Sequence, residues 1–199
     1  MLRATHVNRA SVTMVVFCLF GAQTMATHSR RRLYDGNWWL TVSAAKQSGF
    51  LDGLSDCNSF ELNARSHYQR STQENQQYVT NFYEGYPDQI RTSVFDVYIH
   101  AENQPPKVKP LGDGEVWDEP HGYYDGMWWN GGIEAEALLL RRGFVEGYLW
   151  CYTNKAHSPK GSFSGPPTVY VARITKWYQT PAHVNDKIAD VLFRFRDRR

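Results

Sequence analysis

Two stretches of this chain have nearly the same plan. Asp35 to Cys57 reads DGNWWLTVSAAKQSGFLDGLSDC, and Asp125 to Cys151 reads DGMWWNGGIEAEALLLRRGFVEGYLWC. Each opens D-G-x-W-W and closes G-F-x-x-G-x-x-x-C. The closing halves register at an offset of 94 residues, pairing Gly49 with Gly143, Phe50 with Phe144, Gly53 with Gly147 and Cys57 with Cys151. The openings, with Asp35, Trp38 and Trp39 against Asp125, Trp128 and Trp129, register at 90, so the second stretch carries four extra residues. A recurring unit constrains architecture before chemistry, because each copy must bury the same face in an equivalent way.

Within each unit the apolar spacing is helical. Phe50, Leu54 and Cys57 fall at i, i+4 and i+7, and Thr41 or Ser43 is placed to cap the helix that carries them. In the second unit Leu140, Phe144, Tyr148 and Cys151 make the stripe, widened toward its start by Leu138 and Leu139. A glycine inside a helix costs about 1 kcal/mol against alanine, so four at matched places predict close approach of another backbone or ring. Adjacent Trp residues do not share a helical face, so each W-W pair is read as a turn that clamps a loop against helices.

Tyr78-Val79 opens a second helical pattern with Phe82, Tyr83 and Tyr86, and Tyr170-Val171 opens its counterpart with Ile174, Trp177 and Tyr178. Pro87 and Pro181 each begin a third. Thr180 is placed as N-cap of the later one, whose stripe is Val184, Ile188, Val191 and Phe195; Ile90, Val94, Val97 and Tyr98 form the earlier one. The run from Ile90 to Ile99 is β-branched enough to admit a strand instead. The expected fold is all-α and internally duplicated, with about three helices per unit. Unit 1 spans 34–101, unit 2 spans 125–199, and a Pro/Gly-rich connection covers 102–124.

Residues 1–26 have the pattern of an export signal: Arg3 and Arg9, an apolar core from Val12 to Phe20, and small residues at Thr24 and Ala26. That core is shorter than the roughly 20 residues needed to span a bilayer. Residues 27–33 follow as a basic lead-in. The net charge of +2 belongs to Arg3 and Arg9, so the remainder is balanced and carries no nucleic-acid footprint. A periplasmic or secreted location is expected, with no membrane span after residue 26. There Cys57 and Cys151 are either bridged, as an oxidising compartment permits, or separately buried thiols.

Asp113, Glu115, Asp118, Glu119, His121 and Asp125 form the densest group of metal-ligand types, but neither calcium-loop nor zinc spacing is present. No metal and no cofactor are expected. Asp35 and Asp125 could serve as the carboxylate pair of a carbohydrate-active or cell-wall hydrolase, with aromatic rings beside them. Their position before glycine equally fits a side-chain-capped turn. The nucleophile elbow, the H-E-x-x-H helix and phosphate-cradling glycine loops are missing, and His67, His100, His157 and His183 are scattered.

The glycine-aromatic helices GFLDGLSDC and GFVEGYLWCY resemble the G-Y-x-x-G helix of small exported bacterial immunity proteins of the Tai type, which neutralise type VI secretion amidases and related toxins. The likeness covers about nine residues per unit. It implies a mostly helical exported protein that inserts a loop into a toxin's cleft. On that resemblance Gly49, Phe50, Gly53, Cys57, Gly143, Phe144, Gly147 and Cys151 are scaffold. The D-G-x-W-W openings and the tandem arrangement depart from the pattern. The expected function is binding of another macromolecule, a protein partner rather than nucleic acid, with the hydrolase as the alternative.

Overall fold

The computed structural model describes residues 34–60, 70–103, 124–131, 134–155 and 161–197. These form eight α-helices in chain order: α1 (Gly36–Trp39), α2 (Ala44–Phe60), α3 (Thr72–Gly85), α4 (Val94–Glu102), α5 (Gly126–Asn130), α6 (Glu134–Lys155), α7 (Pro167–Tyr178) and α8 (Ile188–Arg194). Short 3-10 turns at Pro87–Gln89 and Pro181–His183 precede α4 and α8. The described residues hold no strand, so the fold is all-α and the β-branched run after Ile90 is helical from Val94. The export signal, the lead-in and most of the 102–124 connection lie outside the described residues.

Helices α2 and α6 form the centre and touch backbone to backbone. A Cβ on Gly49 would lie 2.0 Å from the Leu140 carbonyl oxygen, and one on Gly53 would lie 2.0 Å from that of Phe144. Reciprocally, Cβ atoms on Gly143 and Gly147 would sit 2.3 Å and 2.2 Å from the carbonyl oxygens of Lys46 and Phe50. The contacts advance in the same direction along both helices, so the pair is parallel. At its C-terminal end Cys57 and Cys151 are joined by a disulfide, with Cα atoms 6.2 Å apart. That separation lies inside the usual range for a cystine.

The predicted stripe of Phe50, Leu54 and Cys57 is fully buried, yet so is every residue from Gly49 to Ser59. Periodicity singles out only the apolar members of a helix that is covered all round. In α6 the inner stripe is likewise buried at Phe144, Tyr148 and Cys151, but Leu138 and Leu139 are 57% and 38% exposed rather than an extension of it.

Three further expectations are corrected by local chemistry. Each W-W pair belongs to a short helix rather than a bare turn, since Asp35 and Asp125 accept hydrogen bonds from the first-turn backbone N–H groups. The proline-started segments split in two. After a single 3-10 turn the chain reverses, and α4 starts from a Ser93 cap that accepts from Asp96 N at 3.2 Å. Thr180 makes no side-chain cap, Val184 lies before α8 and Phe195 follows it. Finally, α3 begins six residues ahead of Tyr78, where Ser71 and Glu74 form a reciprocal capping box. Ser43, one of the two proposed caps of α2, does accept from Lys46 N at 3.4 Å.

The short helices α1 and α5 are docked by matching bonds. Gly36 N donates to Ile90 O and Gly126 N to Val184 O, both at 2.9 Å. Val94 N donates to Tyr34 O and Ile188 N to Tyr124 O, both at 2.8 Å. Trp39 Nε1 reaches Thr80 Oγ1 at 3.0 Å and Trp129 Nε1 reaches Thr175 Oγ1 at 3.1 Å, so each fully buried indole has its donor satisfied. The other Trp of each pair lies across the central phenylalanine, with ring centroids 4.7 Å apart for Trp38–Phe50 and 5.1 Å for Trp128–Phe144.

An added methyl at Gly53 or Gly147 meets a backbone oxygen, which cannot rotate away. Gly53→Ala and Gly147→Ala are therefore expected to lower stability by about 1–3 kcal/mol or more in denaturant unfolding. Gly85→Ala is the control: nothing lies within 4 Å of its added methyl, so that variant should be neutral or slightly stabilised. Equal behaviour of the three would remove close backbone packing as the reason for the glycines. The cystine predicts that the unreduced protein carries no alkylatable thiol at Cys57 or Cys151. The double serine variant should lose about 2–5 kcal/mol.

Candidate binding groove

A groove with a volume of about 530 Å³ lies between α6 and α7. Val171 and Ala172 of α7 and Leu138 of α6 supply its apolar lining, and Arg141, Arg142 and Lys176 line it with positive charge. No carboxylate is among its described lining residues. Arg142 is compensated from behind, its Nε 3.0 Å from the buried Glu146, which also holds Lys46 of α2 at 3.0 Å. Arg141 and Lys176 have no ion-pair partner among the described residues. The Arg141 Nε donates to Trp129 O at 2.6 Å, and its guanidinium lies over the Trp129 ring. Burial pulls the Arg141 pKa below its ordinary value, but a guanidinium stays charged at any physiological pH.

The corresponding place between α2 and α3 is bridged by side-chain hydrogen bonds. On the 94-residue register Gln47 stands where Arg141 does, and it makes the same bond, Nε2 to Trp39 O at 2.7 Å. The matched Trp–Thr bonds pair Thr80 with Thr175, an offset of 95 rather than the 92 that pairs Tyr78-Val79 with Tyr170-Val171 in sequence, so Gln76, not Val79, stands where Val171 does. Its amide donates to Gln47 Oε1 at 2.8 Å and to Ala44 O at 3.2 Å, tying α3 to α2. Val171 has no polar atom with which to do this. The four extra residues of the second stretch also fall here, since α6 starts at Glu134 whereas Ala44, the first residue of α2, registers with Leu138. Four residues are one helical turn, so Leu138 stands inside α6 instead of at its end.

The carboxylates of the alternative reading are engaged elsewhere. Asp35 is buried, its Oδ1 accepting from Trp38 N at 3.2 Å and its Oδ2 lying 3.1 Å from Arg91. Asp125 Oδ1 accepts from Met127 N and Trp128 N at 3.0 and 3.3 Å, and Lys187 lies 3.6 Å from Oδ2. Both are helix caps, and neither lines the groove. His100 ends α4 and His183 stacks on Trp177, while His67, His157 and the acidic group from Asp113 to His121 lie outside the described residues. The described residues contain no cluster of three or more metal-ligand types.

A second polar feature escaped the sequence reading. Asp52, at the register position of Glu146, is buried on α2 and has no cation beside it among the described residues. Its Oδ1 accepts from the hydroxyls of Thr72 and Tyr124, both at 2.6 Å. Burial pushes its pKa from 3.8 up to about 6, partly offset by the two hydroxyl donors. The Tyr124 hydroxyl is itself raised, first by burial and then by the Asp52 charge. The signal available in sequence was an acid four residues before a second acid, Asp56, in a stretch otherwise apolar or small; it marks a helix with no solvent face, and it reads equally as an exposed acidic side.

No family model, curated protein or solved structure matches this chain.

Because the folded state holds the Asp52 proton more tightly than the unfolded chain, it binds more protons between pH 4 and 6. The contribution of Asp52 is then fully present below its unfolded pKa of 3.8 and is lost as pH rises through about 6. Relative to Asp52→Asn, which keeps an acceptor for both hydroxyls, the parent protein should lose about 2–3 kcal/mol between pH 4 and pH 7. Urea unfolding of both proteins across that range measures it. A constant difference would mean that Asp52 titrates as an ordinary acid.

Proposed function

We propose that this chain is an exported, internally duplicated helical protein whose task is to bind another macromolecule, with the groove between α6 and α7 as its contact surface. The observation that carries the reading is the groove itself. It has an apolar lining and two cations without ion-pair partners among the described residues, at a place where Gln76 bridges the matching helices α2 and α3. Surface of this kind is retained against the pull of closure only at the cost of solvated apolar area. The matched docking bonds of α1 and α5 support the duplication. The buried cystine supports an oxidising compartment and hence the export signal of residues 1–26. No helix among the described residues is long and apolar enough to cross a membrane. Immunity against a wall-degrading toxin is the specific form of this function that the glycine-helix resemblance suggests. It places the glycines and cystine in the scaffold and leaves the toxin contact to other surfaces, for which we take the groove.

A photo-crosslinking residue at position 138, in protein expressed with its native partners, should give one discrete protein adduct. The same residue at Asn81, exposed at the matching place on the other half, should not. Indistinguishable adduct patterns from the two positions would remove the groove as the contact surface.

A further inference from the structure

The groove's chemistry narrows its occupant. Its volume falls within the roughly 300–1,000 Å³ typical of pockets that enclose a ligand or several side chains. It runs between two helices, α6 and α7, and offers apolar contact from Leu138, Val171 and Ala172. Arg141 and Lys176 stand on opposite helices, and no acid among the described lining residues neutralises them. Apolar lining with cations on both walls suits an amphipathic segment that presents apolar side chains between its carboxylates. A single-stranded nucleic acid would call for stacking rings, and none of the lining residues is aromatic.

Comparison of the two halves shows that the charge is not a by-product of folding. At the register position of Arg141, Gln47 makes the same bond to a tryptophan carbonyl without any charge. The backbone contact therefore does not require arginine. Asn81, likewise uncharged, stands at the position of Lys176, and Gln76 fills the space that Val171 leaves open. Three differences at one spot, together with one added turn on α6, put a cationic groove where α2 and α3 are bridged by uncharged amides.

We propose that the groove between α6 and α7 binds a carboxylate-rich, amphipathic peptide segment of a protein partner, with Arg141 and Lys176 pairing its carboxylates and Leu138 and Val171 taking its apolar side chains. This rests on the binding reading above and assigns the partner's chemistry. Recognition of this kind is salt-dependent, because Lys176 is exposed and its pairing is screened by added ions.

The test uses the full chain and three fluorescent peptides of about 12 residues with the same leucine pattern, the other positions being glutamate, glutamine or lysine. Fluorescence anisotropy should show the glutamate peptide binding at least about tenfold more tightly than the glutamine peptide, and the lysine peptide not at all. Raising salt from about 50 to about 300 mM should remove most of that preference. R141Q combined with K176Q should abolish it, while R141Q keeps a donor for the Trp129 carbonyl. R141Q combined with V171Q copies the Gln47–Gln76 pair of α2 and α3; it should lose binding of every peptide while keeping the parent's helical circular dichroism, which separates bridging of the groove from misfolding. Equal affinity for the glutamate and glutamine peptides would overturn the proposal. So would binding to vesicles of anionic lipid without binding to the glutamate peptide. A discrete adduct at position 138 together with charge-blind peptide binding would sink this inference and leave the binding reading standing; absence of that adduct would sink the reading itself.

Discussion

The direct contact of α2 with α6 is the interaction on which everything else in the structure depends. Leu140, Phe144, Lys46 and Phe50 each place a carbonyl oxygen where a side chain on the facing helix would otherwise be. At that distance the helices exchange dispersion and weak Cα–H···O contacts along their backbones. Helix pairs separated by ordinary side chains do not reach it. The close approach brings Phe50 and Phe144 to the middle of the molecule, where Tyr34 and Trp38 gather on one and Tyr124 and Trp128 on the other. It also leaves Cys57 and Cys151 within bonding reach. The helix propensity surrendered at four glycines is thereby recovered in packing.

Burying α2 on all sides has a consequence for its polar residues. Asp52 and Glu146 stand at matched positions, yet they are accommodated by different means. Glu146 is met by Lys46 and Arg142, so its charge is paired across the two central helices. Asp52 is met only by the hydroxyls of Thr72 and Tyr124, and burial raises its pKa toward neutrality. Matched positions thus carry one carboxylate held by cations and one held by hydroxyls, because the neighbours differ while both are buried.

Different side chains at matched positions also mark the groove. The tryptophan of each W-W helix that faces inward offers its carbonyl to a side chain of the central helix, Gln47 in one place and Arg141 in the other. Gln76 bridges α3 to α2 through its amide; Val171, at the matching position, has no polar atom to do so and lines a groove whose walls carry charge. Scaffold and surface are therefore set by different residues: the glycines, the cystine and the buried tryptophans hold the helices in position, and a handful of side chains between α6 and α7 determine what that position exposes.

Much of the scaffold was legible in the sequence by itself. The all-α class follows from apolar spacing at i, i+4 and i+7, and the close helix contact from glycines that a helix would otherwise avoid. The order of elements follows from the recurring D-G-x-W-W, glycine-helix and proline signals, which are local and survive any arrangement in space. Tertiary structure decided the rest. Periodicity sees only apolar residues, so it could not show that Asp52, Ser55, Asp56 and Ser59 are buried along with Phe50 and Leu54. The proline segments read as single amphipathic helices, because a 3-10 turn and the helix after it place their apolar residues at nearly helical spacing. Leu138 and Leu139 read as core by hydropathy and lie exposed, because the neighbour that would cover them is a matter of packing between distant segments. Whether Cys57 and Cys151 are bridged, and whether a seam between helices is shut or open, depends on ångström-scale distances between parts of the chain far apart in sequence; pattern along the chain carries no such distances, and only the folded arrangement supplies them.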